Sequence, residues 1–240
     1  MAEIIEKKQK IMKKIFFISL IIISFLSSCS SGVIVTNLTE RNKQDVKNVS
    51  LLSNQEISEM NGDFVGDIIL KENSNLDWNF LKTKLVETAK NNGANQILIN
   101  NIGYNLKGYG FYLEGKMYYS EKPTILKNEN CEVGFVRDRF ESVLGSAIAI
   151  EVKVEGQTLG ELKKDNSLIY EAKSCDEKLN VQINKKELLV TLNGKSKYYK
   201  IGKQTAGGSS SVGIQIGIGG LSIVEIEDEQ LGRLLYLQNK

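Results

Sequence analysis

The stretch from Ser74 to Gly93, SNLDWNFLKTKLVETAKNNG, carries the one convincing helix of the chain, and its flanks decide the expected fold. Trp78, Leu81, Leu85 and Ala89 recur at spacings of three and four, while Lys82, Lys84, Glu87 and Lys90 lie off that line. This is the period of a helix with one apolar stripe, running from about Leu76 to Asn91. Ser74 or Asn75 can cap its first N–H groups, and Asp77 suits the positive end of the helix dipole. Asn92-Gly93 ends it, with Gly93 as the left-handed cap. Upstream, Val46–Leu52 and Phe64–Leu70 read as strands, the second announced by the turn Asn61-Gly62-Asp63. Downstream, Ala94–Asn100 and Tyr109–Tyr119 read as two more strands, joined by a loop around Gly103–Gly108. The pattern is ββαββ, a helix over one face of a small sheet, in a domain at residues 46–122.

Residues 121–130, centred on Pro123 and Asn128-Glu129-Asn130, mark a boundary, and from Cys131 onward strand follows strand. Ile148, Ile150, Val152 and Val154 alternate with Ala147, Ala149, Glu151 and Lys153, the period of a strand with one buried face. Glu155-Gly156 makes a tight turn into Gln157–Leu162. Short strands are expected at Ser167–Ala172, Leu179–Ile183, Leu188–Leu192 and Lys197–Ile201. Asn193-Gly194, between the last two, is the strongest hairpin signal in the chain. Ser211–Ile226 and Gln230–Leu237 complete the set. Short strands at this spacing imply a sandwich or flattened barrel over residues 131–240. The expected fold class is therefore α+β: a small ββαββ N-terminal domain followed by an all-β, sandwich-like C-terminal domain.

Before both lies Met12–Cys29, MKKIFFISLIIISFLSSC. Lys13 and Lys14 precede an apolar run from Ile15 to Leu26 that only Ser19 and Ser24 interrupt. A charged start, an apolar middle and small residues before a cut are the layout of a secretory signal. As a helix the run would rise roughly 18 Å, against a hydrocarbon core of ~30 Å, too short to span comfortably. A plain cleaved signal and a buried core segment are the alternatives. The lysines before the run and the serine-rich polar stretch after it argue against the core segment. The expected organisation is a signal peptide at residues 1–28, with Met12 as the natural start, and a tether at residues 29–45. Within the tether, Val33–Val35 is either linker or a short first strand.

The chain has 31 basic and 29 acidic side chains. Residues 1–28 hold five lysines and two glutamates, so 26 basic and 27 acidic side chains remain beyond them, a net charge of −1. No basic surplus argues for nucleic acid. There is no histidine, which removes the commonest general base, the commonest metal ligand and any Ser-His or Cys-His pair. No enzymatic activity, cofactor or metal is expected. If Cys29 carries lipid, Cys131 and Cys175 are left as a pair. In an oxidising compartment they would form a disulfide contributing roughly 4 kcal/mol, the alternative being two free buried thiols.

Leu26-Ser27-Ser28-Cys29 resembles the lipobox of bacterial lipoproteins, where cleavage falls just before the cysteine and lipid is attached to it. That resemblance implies export and anchoring through acyl chains on Cys29. Ser30 and Ser31 carry no charge. In those families an Asp directly after the cysteine favours inner-membrane retention, so its absence implies the outer membrane, facing the periplasm. Gly62-Asp63, Gly66, Gly93-Ala94-Asn95-Gln96-Ile97 and Gly115 resemble the small envelope domains of the Rcs outer-membrane stress sensor and YbjQ-like lipoproteins. This implies fold alone, because the sensor's additional cysteines are absent. Phe135-Val136-Arg137, Val154-Glu155-Gly156, Leu159-Gly160-Glu161-Leu162 and Tyr198-Tyr199-Lys200-Ile201, with Glu225 and Gly232, resemble the DUF2846-type domain of envelope proteins. That resemblance implies a β-sandwich in the envelope and no particular reaction.

The glycine-rich run Gly213–Gly220 invites a nucleotide reading, but a third fingerprint glycine would fall at Ser222, and Ile223–Ile226 reads as strand where a helix is needed. It is better read as a strand or hairpin. Arg137, Asp138, Arg139 and Glu141 could grip a carboxylate or sugar, or form a solvated, mutually paired loop. Tyr104, Tyr109, Phe111, Tyr112, Tyr118 and Tyr119 could present a glycan or protein surface, Tyr109 and Tyr112 above all, or pack as core. Asp63, Asp67, Glu225, Glu227, Asp228 and Glu229 lack metal-ligand spacing. The expected role is non-enzymatic scaffolding, sensing or interaction, with the membrane and an envelope protein as partners. The alternative is a module binding glycan, peptide or lipid, which a pocket flanked by exposed tyrosines would favour and a flat surface would not.

Overall fold

The spacing of Trp78, Leu81, Leu85 and Ala89 is realised in helix α1, Trp78–Asn91, where all four are buried. In the computed structural model, Asp77 caps this helix in place of Ser74 or Asn75: its extended backbone lets Oδ1 accept from Phe80 N at 2.8 Å. Asn75 acts one step earlier, accepting from Asp77 N at 3.1 Å. The structure describes residues 31–240 apart from 41–43, 58–59, 125–129, 138–148, 164–165, 204–214 and 219–220. The expected signal peptide, Cys29 and half of the expected boundary at 121–130 (residues 125–129) lie outside the described residues.

α1 covers a sheet of five strands: β1 (Gly32–Thr36), β2 (Ser50–Ser53), β3 (Asp63–Glu72), β4 (Gln96–Tyr104) and β5 (Phe111–Tyr119). Their order is β1-β3-β5-β4-β2. β5 runs antiparallel to both β3 and β4, and β2 runs parallel to β4. Along β5, Phe111, Leu113 and Met117 alternate inward to meet the α1 stripe, as the two-residue strand period requires.

The remaining strands are β6 (Glu132–Arg137), β7 (Ile150–Val154), β8 (Gln157–Leu162), β9 (Ser167–Glu171), β10 (Lys178–Ile183), β11 (Lys186–Thr191), β12 (Lys197–Lys203), β13 (Gln215–Ile218) and β14 (Leu221–Ile226). They form two sheets, β11-β10-β7-β8 and β13-β14-β12-β6-β9. Val152, Val154, Val181 and Ile183 of the first share one apolar core with Val133, Phe135, Tyr199 and Ile201 of the second. Glu155 and Gly156, at φ 51° and 75°, make the two-residue turn that pairs Val154 with Gln157. Asn193 and Gly194 have the same left-handed backbone, at φ 50° and 79°. They do not form the expected hairpin, because β11 pairs with β10 while β12 pairs with β14 and β6. The turn instead carries the chain from one sheet to the other, and Gly194 N donates to Cys175 O at 2.8 Å. Cys175 is bonded to Cys131 in a disulfide spanning 44 positions.

The expected division into a ββαββ domain and an all-β domain is overturned. The molecule is mostly β, in three sheets, and no separate ββαββ domain is seen. The core under α1 continues into Val136, Tyr198 and Ile226 of the third sheet and into Leu231, Leu234 and Leu235. Those leucines belong to a second helix, α2 (Glu229–Gln238), where a strand was expected. Asp228 caps α2 by accepting from Leu231 N at 2.8 Å. Leu231, Leu234 and Leu235 then recur at helical spacing, so one apolar stripe forms on a helix while a strand would split it between two faces. Residues 33–240 belong to one compact unit. No helix among the described residues is long and apolar enough to cross a membrane.

Candidate functional site

Tyr198 and Tyr199 are neighbours on β12, so the strand period sends them to opposite faces. Tyr199 enters the core between the two later sheets, and Tyr198 turns towards α2 and is fully buried. Two glycines make room for it. A Cβ on Gly134 would stand 2.4 Å from Tyr198 Cδ1, and one on Gly232 would stand 2.5 Å from Tyr198 Cβ. The Tyr198 hydroxyl donates to Glu132 Oε2 at 3.0 Å. Next along α2, Arg233 lies 2.6 Å from Glu56 and 3.5 Å from Glu132. Burial alone would lower the Arg233 guanidinium, but Glu56 and Glu132 overcome that and raise it. Burial, reinforced by Glu132, raises Tyr198. Both groups therefore hold their protons at neutral pH, and Arg233 stands as a cation between the side chains of Glu56 and Glu132.

Above this network opens a cleft of about 540 Å³, with Val49, Leu51 and Leu234 as apolar wall and Glu56, Asp228 and Arg233 as polar wall. One side is the outer edge of β2, where Leu51 O accepts from Gln230 Nε2 at 3.3 Å. The rim carboxylates are engaged: Asp228 caps α2 and pairs with Lys82 at 3.2 Å, and Glu229 accepts from Ser196 N at 3.1 Å. Such a cleft can hold a guest by packing and hydrogen bonds. Nothing in the sequence pointed to it. Arg233 and Glu56 are 177 positions apart, and the available signal was a lone arginine inside the apolar run Leu231–Leu235.

The expected site residues fall elsewhere. Cys29, Asp138, Arg139 and Glu141 lie outside the described residues. Arg137, read as part of a surface loop that either grips a ligand or is solvated and mutually paired, is only 4 % exposed, and its Nη1 donates to Leu162 O at 3.2 Å. It closes a strand buried on both faces. Tyr112 is also buried; its hydroxyl donates to Glu114 at 3.1 Å and accepts from Lys107 Nζ at 3.0 Å. Half-buried Tyr109 stacks on it with centroids 6.1 Å apart, and Lys71 and Lys107 lie 5.0 and 4.5 Å from the two rings. Hydrogen bonds from Lys107 to Glu114 and Tyr112 push that lysine up to about 12. The pair is thus a packed lysine–tyrosine cluster, and the cleft is lined by neither tyrosine.

Of the carboxylates, Asp67 accepts from Asn37 Nδ2 at 2.6 Å and Glu225 pairs with Lys197. Among the described residues no group of three Asp, Glu, His or Cys could hold a metal ion. Gly217 lies on β13, antiparallel to β14, and Gly213, Gly219 and Gly220 lie outside the described residues. No family model matches the chain, and neither a curated protein nor a solved structure matches it.

Proposed function

We propose that this chain is an exported bacterial lipoprotein, anchored by acyl chains on Cys29, with a scaffolding, sensing or interaction role in the cell envelope and no covalent chemistry of its own. The observation that carries the reading is the joint pattern of Met12–Cys29: two lysines, an apolar run too short to span, and Leu-Ser-Ser-Cys. The Cys131–Cys175 bond supports it, because disulfides persist in oxidising compartments such as the periplasm. The resemblance to DUF2846-type envelope domains points to the same setting, and the uncharged Ser30 and Ser31 to the outer membrane. Two or more acyl chains hold a protein on a bilayer durably where one does so only marginally. A body held there would offer the cleft beside β2 to an envelope protein.

The cleft also favours a second reading, a periplasmic module for a glycan, peptide or lipid, since its apolar wall and engaged polar rim suit a guest held without reaction. The first reading is tested by intact mass of the chain extracted from bacterial membranes. The expected species begins at Cys29 and carries added acyl mass, and Cys29→Ala leaves the membrane fraction or stays unprocessed. A chain beginning at Cys29 without acyl mass would sink the anchor. Crosslinking in the membrane, followed by mass spectrometry, then separates a protein partner from a small ligand.

A further inference from the structure

β1 is the neighbour of β3 in the first sheet, and the residues after it fix its direction. Asn37 Nδ2 donates to Asp67 Oδ2 at 2.6 Å, and two residues on Thr39 N donates to Val65 O at 3.0 Å. The chain therefore runs antiparallel to β3. Val33 and Val35 pack into the core under α1 together with Ile68 and Leu70 of β3. Followed backwards, β1 thus brings Val33 to the end of β3 near Lys71 and Glu72. β1 takes residues out of the expected tether at 29–45: only residues 30–32 separate Cys29 from Val33, and four backbone steps reach at most about 14 Å. The same end of the sheet carries the connection from β4 to β5, because Tyr104 pairs with Phe111 and Phe111 with Glu72. Trp78, at the start of α1, meets Phe111 there at 6.0 Å. Lys107 and Gly108 are exposed at this end, and so is the Phe80 ring, at 39 %. Tyr109 is half-buried with Lys71 5.0 Å over its ring.

We propose that this end of the first sheet, with Lys71, Phe80 and the loop Lys107–Gly110, is the membrane-facing surface of the protein and rests in the headgroup layer of a phospholipid bilayer, given the acylation of Cys29 on which this reading rests. Acyl chains fix Cys29 at the bilayer, and a tether reaching about 14 Å holds this end close to the headgroups. The side chains suit that layer. Tyrosine and lysine join apolar stems to polar tips and settle at headgroup depth, and an exposed phenylalanine leaves water by entering it. Lys107 is balanced by Glu114 at 2.7 Å and Lys84 by Glu72 at 3.4 Å, so little net charge is presented and zwitterionic phospholipid suffices. The cleft gains an orientation from this. β2, which carries it on its outer edge, lies along Gln96–Ile99, the opposite half of β4. Gln96 and Tyr104 are separated by about 26 Å of strand, so the cleft is held clear of the bilayer and open to the periplasm.

The test is tryptophan quenching in the full acylated chain, floated on phosphatidylcholine vesicles with acyl chains brominated near the headgroup or left plain. Trp78, the single tryptophan, is buried, and Trp78→Phe silences it. One reporter at a time is then added: Tyr109→Trp, Phe80→Trp or Leu38→Trp. Leu38 is 54 % exposed and lies against Gly66, about 17 Å of strand from Lys71. Bromination should dim Tyr109→Trp and Phe80→Trp about twofold and leave Leu38→Trp unchanged. Phe80 is a surface position, so its reporter serves even where the Tyr109 stack does not accept the larger ring. Equal quenching of Leu38→Trp would mean that the molecule lies on its β1 edge, and no quenching at any position that it stands off the bilayer. Either result, in a chain that floats, would overturn the proposal and leave the anchor intact. A chain without acyl mass that does not float would sink the reading of Cys29 and this face with it.

Discussion

Glu72 ends β3 with a carboxylate that is almost wholly buried yet fully engaged. It accepts from Asn73 N at 3.0 Å, Ser74 N at 3.2 Å and Ser74 Oγ at 2.9 Å, and pairs with Lys84 of α1 at 3.4 Å. Burial by itself would raise this acid. The bonds from Ser74 and Asn73, then Lys84, outweigh burial and bring it from the ordinary 4.5 to about 2. A depressed folded value means the group stabilises the fold above the unfolded pKa and loses that contribution as pH falls through the folded one. Urea melts of the native chain should therefore weaken between pH 4.5 and 2. Glu72→Gln should cost about 1 to 3 kcal/mol at neutral pH and flatten that slope. A parallel slope in the variant would show that other carboxylates are responsible. The same scale explains the buried Arg137: chain position suggested a loop, but β6 carries it inward at its end.

α2 is an element whose making is legible only in part. Asp228 is a standard N-cap, and Leu231, Leu234 and Leu235 have helical spacing, but Gly232 weakens the signal and the preceding strands bias the reading towards another strand. Gly232 is there because α2 lies directly on Tyr198. In an exposed helix, Gly→Ala would gain about 1 kcal/mol. Here the added Cβ would meet Tyr198 Cβ and Cγ, each at 2.5 Å, atoms next to the backbone that cannot swing aside. Overpacking costs about 1 to 3 kcal/mol, and approaches of 2.5 Å to atoms that cannot move belong at the upper end, so the clash should win and Gly232→Ala should lower stability by about 1 to 2 kcal/mol in denaturant melts. A neutral or stabilised variant would mean that α2 sits further from β12 than described.

At the scale of the molecule, the third sheet is buried on both faces: Val133, Phe135, Tyr199 and Ile201 on one side, Val136 and Tyr198 on the other. It joins what would otherwise be two cores. The disulfide pins the start of β6, in that sheet, to the connection between β9 and β10. Replacing both Cys131 and Cys175 with Ala should cost about 2 to 4 kcal/mol, chiefly by freeing the unfolded chain. Guanidinium melts should show the native chain sensitive to reductant and the double variant not. Equal sensitivity would place the reductant's effect elsewhere.

Local periodicity by itself determined the course of α1, the strands around it, the Glu155-Gly156 hairpin and the charge pattern of Met12–Cys29, because each depends on residues within a turn or two of one another. Tertiary structure decided the rest. Whether Asn193-Gly194 would return a strand beside its neighbour or send it to another sheet depended on which strands were free to pair. Whether α2 would be a helix depended on a groove beside Tyr198 that exists only once Gly134 and Gly232 are in place. The cleft and its Arg233–Glu56–Glu132 network join residues far apart in the chain, and no local pattern encodes such a meeting. The physical reason is common to all three: side-chain period reports which face is buried, and only packing decides what it is buried against.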